Sequence, residues 1–118
     1  MVDMTDLFTE HKPWGYYTIL DEGNGYKVKK LVVKPGSRLS LQTHLHRSEF
    51  WTIAEGNPII VCGDIRKKYS VGDYVLIPKE AQHRLENDTD SQVTVIEIQN
   101  GSYLGEDDII RIEDDYIR

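Results

Sequence analysis

Residues 36–56 read Gly36-SRLSL-Gln42-T-His44-LHRS-Glu49-FWTIAE-Gly56, and residues 72–87 read Gly72-DYVLI-Pro78-KEAQ-His83-RLE-Asn87. Three of the four histidines in the chain fall in these two stretches. Side chains of an extended strand alternate between faces, so Ser40, Gln42 and His44 share one face. On the next segment Arg47, Glu49, Trp51 and Ile53 share a parity. A reversal near Leu45–Arg47 would bring Gln42, His44 and Glu49 together, and the later stretch would deliver His83. Two imidazoles, one carboxylate and one amide oxygen suit a borderline divalent ion such as zinc, manganese, iron, nickel or cobalt. Glu49 is the only charged donor, so the loaded site would keep a net charge of about +1 and act as a Lewis acid. The competing reading makes His44 and His46 exposed loop residues, and the donor types alone leave both readings open.

Outside these stretches the chain reads as short strands between turns. Segments 16–20, 26–33, 38–44, 49–54, 58–61, 74–77 and 93–99 read as strands because each is short and bounded by turn residues. The turn signals between them include Gly56-Asn57, Gly63-Asp64, Gly72-Asp73 and Asn87–Asp90. Strands this short, with no long amphipathic helix, predict an all-β antiparallel sandwich or barrel. Pro58 and Pro78 belong at strand starts or edges, because proline donates no ladder hydrogen bond. Gly36, Gly56 and Gly72 read as turn positions, Asn87 as a turn cap, and Trp14 and Trp51 as core or pocket wall. His11 lies outside both clusters and reads as exposed. The acidic stretch 105–118 fits either a strand or a short helix, with its acids on a solvated face.

Composition bounds the function. The 118 residues amount to one domain with an ordinary globular mixture, 39% hydrophobic and 29% charged. The single cysteine, Cys62, excludes an internal disulfide framework and reads as a buried strand residue in a reducing compartment. The acidic first ten residues lack the apolar core of a signal peptide, and no apolar run is long enough to span a bilayer. The expectation is a cytoplasmic protein with no membrane partner. A formal charge of −6 argues against nucleic acid as the main partner, and an anionic substrate would need a locally basic pocket.

The spacing G-x5-Q-x-H-x4-E-x6-G followed by G-x5-P-x-E-x2-H-x3-N resembles the paired motifs of the cupin superfamily. Gln42 stands where that pattern usually has its first histidine, as in the phosphomannose isomerase branch, and Glu80 replaces a motif glycine. The strings KPWG (12–15), LVVKPGSRLSLQTHLHRSEFW (31–51), IPKEAQHRLEN (77–87) and GSYLGEDDIIRIEDDY (101–116) resemble the type II mannose-6-phosphate isomerase domain. That domain commonly forms the C-terminal part of bifunctional mannose-1-phosphate guanylyltransferase/mannose-6-phosphate isomerases. The resemblance covers residues 11–118, with residues 1–10 as an N-terminal extension too short for a nucleotidyltransferase, so guanylyltransferase activity is not expected.

The resemblance implies a cupin (double-stranded β-helix or jelly-roll) barrel, a homodimer, and metal binding by Gln42, His44, Glu49 and His83. Zinc is the first choice of ion, with manganese, cobalt, iron or nickel as alternatives. It implies interconversion of mannose 6-phosphate and fructose 6-phosphate, with Ser40 and Arg47 holding the sugar phosphate and Arg84 or Arg38 assisting. His46, on the parity of His44, is the candidate proton carrier, with Arg84 as a second catalytic candidate. Phe50 departs from the family's usual histidine before the tryptophan; strand parity places it opposite Glu49. Two other readings compete: a non-catalytic metal- or sugar-binding module, and another cupin enzyme such as an iron dioxygenase or a nucleotide-sugar epimerase. Imidazole is commoner than Gln42 in an oxygenase, and Glu49 has no purpose in a metal-independent epimerase.

Overall fold

In the computed structural model, residues 7–116 are described, and they contain strands and no helix. Eleven strands form among them: β1 (Thr9–Lys12), β2 (Gly15–Gly23), β3 (Tyr26–Val33), β4 (Leu41–Thr43), β5 (Arg47–Glu55), β6 (Ile59–Cys62), β7 (Ile65–Lys68), β8 (Tyr74–Ile77), β9 (His83–Glu86), β10 (Val93–Gly101) and β11 (Ile110–Glu113). They make a six-stranded sheet, ordered β1-β2-β3-β10-β5-β8, and a five-stranded sheet, ordered β11-β4-β9-β6-β7. Every pairing between named strands is antiparallel. The all-β expectation holds, and β3 and β8 have the bounds read from the sequence. β1, which carries no apolar alternation, was not foreseen; it crosses the boundary expected at residue 11. β7 is fully exposed, so its sequence gives no burial pattern to read. Segment 105–118 resolves toward strand, as β11.

The inner face of the large sheet is layered by its register. Val33 pairs with Val93, and Leu31 with Val95, which in turn faces Ile53. These five positions along three strands begin the apolar floor, which Trp14, Tyr17, Trp51, Ile60, Ile77 and Leu85 complete. Two residues further along the same strands the chemistry changes. Lys29 pairs with Glu97 and Glu97 with Trp51; Lys27 pairs with Gln99 and Gln99 with Glu49. The same inward parity that builds the core therefore carries charged side chains at the other end. Buried polar groups are costly without partners, so that end must be internally hydrogen-bonded.

The turns follow sequence chemistry. Gly56 has φ +84°, and a Cβ there would lie 2.6 Å from the Gln92 carbonyl oxygen. Asn87 ties its turn by donating to the Val33 and Ser91 carbonyls at 3.0 and 2.7 Å. Glu80 is the one non-glycine residue with positive φ, +69°, among the described residues. Its N–H donates to the His44 carbonyl at 2.8 Å, which pins the β8–β9 turn to the end of β4. A left-handed conformation costs an L-residue about 1–2 kcal/mol. Glu80→Gly should relieve that strain, less the greater entropy glycine loses on folding. The expected result is a gain of up to about 1 kcal/mol in urea unfolding; a loss would mean that the Glu80 side chain makes a stabilising contact.

Candidate metal and anion site

β4 and β9 belong to the small sheet and β5 to the large one, so the candidate ligands approach from both walls. Gln42 and His83 are directly paired across β4 and β9 and share a face. His44 follows β4 at the point where the chain turns. Glu49 projects inward from β5, whose burial alternates as the parity rule requires. His44, Glu49 and His83 each offer a ligand atom within 4.8 Å of the others, and all three are buried. His44 Nε2 lies 3.2 Å from Glu49 Oε2, and His83 Nε2 lies 3.7 Å from Glu49 Oε1.

The hydrogen bonds around this cluster fix its tautomers. His44 Nδ1–H donates to the Asp108 carbonyl at 2.6 Å, and His83 Nδ1–H to the Ala81 carbonyl at 2.9 Å. Both Nε2 lone pairs then face Glu49, the arrangement usual for metal-bound imidazoles. His83 Nε2 is buried and has no hydrogen-bond partner. Protons do not fill the gap readily. Burial, with the Arg47 charge, lowers the His44 pKa to about 4, and burial lowers that of His83. Three mutually facing acceptors call for a cation, so the residues fit a divalent ion. Arg47 also brings positive charge to the cluster: Nε donates to Glu49 Oε2 at 2.8 Å and Nη2 lies 3.3 Å from His44 Nε2. Gln42 donates its amide NH2 to Ser40 Oγ at 3.1 Å, which leaves its carbonyl oxygen for a ligand.

A cavity of about 180 Å³ opens beside the cluster, and Ser40, Gln42, Arg47 and Glu49 line it. It also receives Lys29, Glu97 and Glu106, which sequence reasoning did not single out. Trp51 Nε1–H is shared between Glu49 Oε1 at 2.9 Å and Glu97 Oε2 at 3.0 Å, and Gln99 Nε2 donates to Glu97 Oε1 at 2.6 Å. Burial and the nearby Glu49 charge push the Glu97 pKa up to about 7. The signal for Lys29 and Glu97 was parity: Lys29 shares the inward parity of core Leu31 and Val33, and Glu97 that of Val93 and Val95. The acids of the 105–118 stretch are not all solvated as expected. Asp108 is buried, and its carboxylate accepts the Leu45 and His46 N–H groups at 3.1 and 3.0 Å.

His46 and Arg84 are not brought to the cavity. β4 ends at Thr43, so the parity linking His46 to His44 is lost in the turn. The exposed His46 ring packs edge-on against Tyr103. Arg84 lies on the other face of β9 from His83, donating to the Leu39 carbonyl at 2.8 Å and the Glu113 carbonyl at 3.3 Å. Arg38 forms a forked pair with Asp115 at 2.6 and 3.0 Å. Phe50 faces outward and stacks on Tyr74, as parity required. His11 is exposed, and Trp14 and Trp51 are both core and cavity wall.

The sequence model of the family described as "Mannose-6-phosphate isomerase C-terminal" matches residues 3–114. The chain belongs to this family. The alginate biosynthesis protein AlgA of Pseudomonas aeruginosa is 44% identical over 108 residues, covering 92% of this chain and 22% of that protein. Mannose-1-phosphate guanylyltransferase 2 of Escherichia coli O157:H7 is 44% identical over 105 residues, covering 89% and 22%. The mannose-6-phosphate isomerase C-terminal domain seen here thus spans about a fifth of the length of the curated relatives it matches. Among solved structures, a cupin-superfamily sugar phosphate isomerase from Silicibacter pomeroyi superposes with a TM-score of 0.75 at 16% identity, covering 98% of this chain and 93% of that one. The fold of the family member is therefore the cupin double-stranded β-helix.

The shifted groups give opposite pH dependences. An imidazole depressed on folding contributes stability that is complete above its unfolded value near 6.5 and is lost as pH falls toward about 4 for His44. A carboxyl raised on folding contributes stability that is complete below its unfolded value near 4.5 and is lost as pH rises through about 7 for Glu97. In Glu97→Gln only the imidazole contribution remains. Urea midpoints measured from pH 7 to 4.5 should therefore fall more steeply in this variant than in the wild type. Parallel profiles would show that Glu97 does not take up its proton in this window.

Proposed function

We propose that this domain is a metal-dependent aldose–ketose isomerase acting on mannose 6-phosphate and fructose 6-phosphate. The observation that carries the reading is the buried His44–Glu49–His83 cluster beside a cavity that also receives buried cations. Family membership, and the printed name of the Silicibacter pomeroyi neighbour, support a sugar phosphate as the substrate class. Gln42, His44, Glu49 and His83 are the ligands, and zinc is the first choice for an imidazole-rich set with one carboxylate. A divalent ion held there would polarise the sugar oxygen at the reacting carbons.

The chain's own residues bind and orient. Arg47 offers a planar fork of donors to a phosphate, and Ser40 a hydroxyl within the same cavity. Holding the phosphate remote from C1 and C2 restricts the reacting carbons to one position. The proton that moves between C2 and C1 needs a carrier facing the cavity. Glu97 meets that geometry better than His46, because its carboxylate lines the cavity and is aimed by the Trp51 and Gln99 donors. The cytoplasm, where sugar phosphates are metabolised, is the location consistent with this role.

A coupled assay on metal-stripped protein reloaded with zinc, manganese, cobalt or iron tests the reading. Metal-dependent turnover of mannose 6-phosphate should appear and fall by at least about 100-fold in His83→Ala, as loss of a group essential to the chemistry commonly does. Stoichiometric metal binding without turnover for any ion would instead favour the non-catalytic module.

The working unit is a homodimer. On the outer face of the large sheet, Leu76, Phe50, Ile98 and Val28 pair in one unbroken row across β8, β5, β10 and β3. Leu76 and neighbouring Tyr74 are 65% and 61% exposed. The row carries no charge in a chain of net charge −6, so it is where two copies can approach without repulsion. Sedimentation velocity at micromolar concentration should give a dimer for the wild type and a monomer for Leu76→Glu. A monomeric wild type would sink this assignment.

A further inference from the structure

Lys29 on β3 and Arg47 on β5 are 3% and 4% exposed, and both project into the cavity. Each turns to the same counter-ion. Lys29 Nζ bonds Glu106 Oε1, and Arg47 Nη1 lies 3.7 Å from Glu106 Oε2. The second distance is an ion pair too long for a hydrogen bond. Arg47 Nη1 is in fact buried with no hydrogen-bond partner. The two cations are fixed on strands and fully covered. Their shared carboxylate comes from the loop before β11, and its side chain is 42% exposed.

Leaving buried guanidinium hydrogens unbonded is costly, and a better acceptor would be taken up. A carboxylate has two coplanar oxygens and one charge. A phosphate group has three terminal oxygens in a tetrahedral array and carries about −1.5 to −2 charges at neutral pH. It can bridge Lys29 Nζ and Arg47 Nη1 where the carboxylate reaches only one of them fully.

We propose that Lys29 and Arg47 form an anion subsite that the Glu106 carboxylate fills in the resting protein and that a phosphate group takes over by displacing it. That the phosphate belongs to a sugar rests on the reading above; the exchange itself does not. The loop backbone need not move. Two residues on, Asp108 holds the Leu45 and His46 N–H groups through its carboxylate and His44 Nδ1–H through its carbonyl. Only the Glu106 side chain has to rotate into solvent, and the support of His44 stays in place.

Calorimetric titration of the full chain with inorganic phosphate, at fixed pH and low ionic strength, tests the exchange. Glu106→Gln should bind orthophosphate about tenfold more tightly than the wild type, the equivalent of about 1.4 kcal/mol. Adding Lys29→Met to Glu106→Gln should return binding to the wild-type level or below. Glu10→Gln removes another acid of the same cavity, one bonded to Tyr17 and paired with Lys12 at 3.4 Å rather than with Lys29 or Arg47. It should change phosphate affinity by less than about twofold. If Glu106→Gln binds no tighter, or if Glu10→Gln tightens binding equally, there is no carboxylate exchange, only a change in net charge. If Glu106→Gln fails to fold, Lys29→Met in the wild-type background serves: unchanged phosphate affinity would exclude Lys29 from the subsite. Turnover of mannose 6-phosphate is not part of this readout. Phosphate exchange without turnover keeps the subsite and removes the isomerase, and turnover without exchange does the reverse.

Discussion

Glu49 is the point on which the open end of this barrel depends. It is a carboxylate 3% exposed, set on a central strand of the large sheet among two imidazoles, a guanidinium and an indole. An isolated charge in such a place would not persist, because desolvation would force it to neutralise. Here Arg47 and Trp51 donate to its two oxygens, and two imidazole lone pairs stand ready to share a cation with it. Arg47 and Trp51 lie two residues to either side on the same strand, so a single run of inward parity supplies the carboxylate and both of its donors. The local geometry of one strand thus creates a site that remains short of positive charge.

The remaining buried polar groups extend this arrangement. Trp51 links Glu49 to Glu97, Gln99 holds the other oxygen of Glu97, and Arg47 and Lys29 reach Glu106. The Trp51–Glu97 link crosses from β5 to β10, and Arg47 and Lys29 reach Glu106 from β5 and β3, strands whose register is set at the apolar end by Val33, Val93, Leu31, Val95 and Ile53. A slip of one residue would turn all these side chains to the wrong face at once. Packing at one end therefore positions the chemistry at the other.

Much of this was legible in sequence, wherever period two ran unbroken. The groupings Ser40-Gln42-His44 and Arg47-Glu49-Trp51-Ile53 follow from alternation alone, and Phe50 facing outward follows from the same rule. His46 was misplaced because alternation holds only while a strand lasts, and β4 stops at Thr43. Arg84 faces away from His83 as adjacent strand residues must. Lys29, Glu97, Glu106 and Asp108 were harder, since their partners lie far off in sequence. Lys29 and Glu97 did leave a trace, as charged residues on a parity that is apolar at Leu31, Val33, Val93 and Val95. Glu106 and Asp108 left none; an acid-rich tail resembles a solvated surface until the fold lays it across the mouth of the cavity.

Charge balance explains how a chain of net charge −6 could hold an anion. The cavity lining contains Glu10, Glu49, Glu97 and Glu106 against Lys12, Lys29, Arg47 and Arg111, so its formal charges cancel. A cavity that followed the chain average would repel a phosphate. A neutral one does not, and a divalent ion among His44, Glu49 and His83 would leave it about two charges positive. A proton on Glu97 would add another. A sugar phosphate brings about −1.5 to −2 charges at neutral pH, close to that surplus. A metal and an anion would therefore favour one another through the cavity's electrostatics, because each would offset the charge that the other introduces into a buried space. Arg47 stands between the two, bonded to Glu49 on one side and facing Glu106 on the other, where an incoming cation would drive its guanidinium toward the anion.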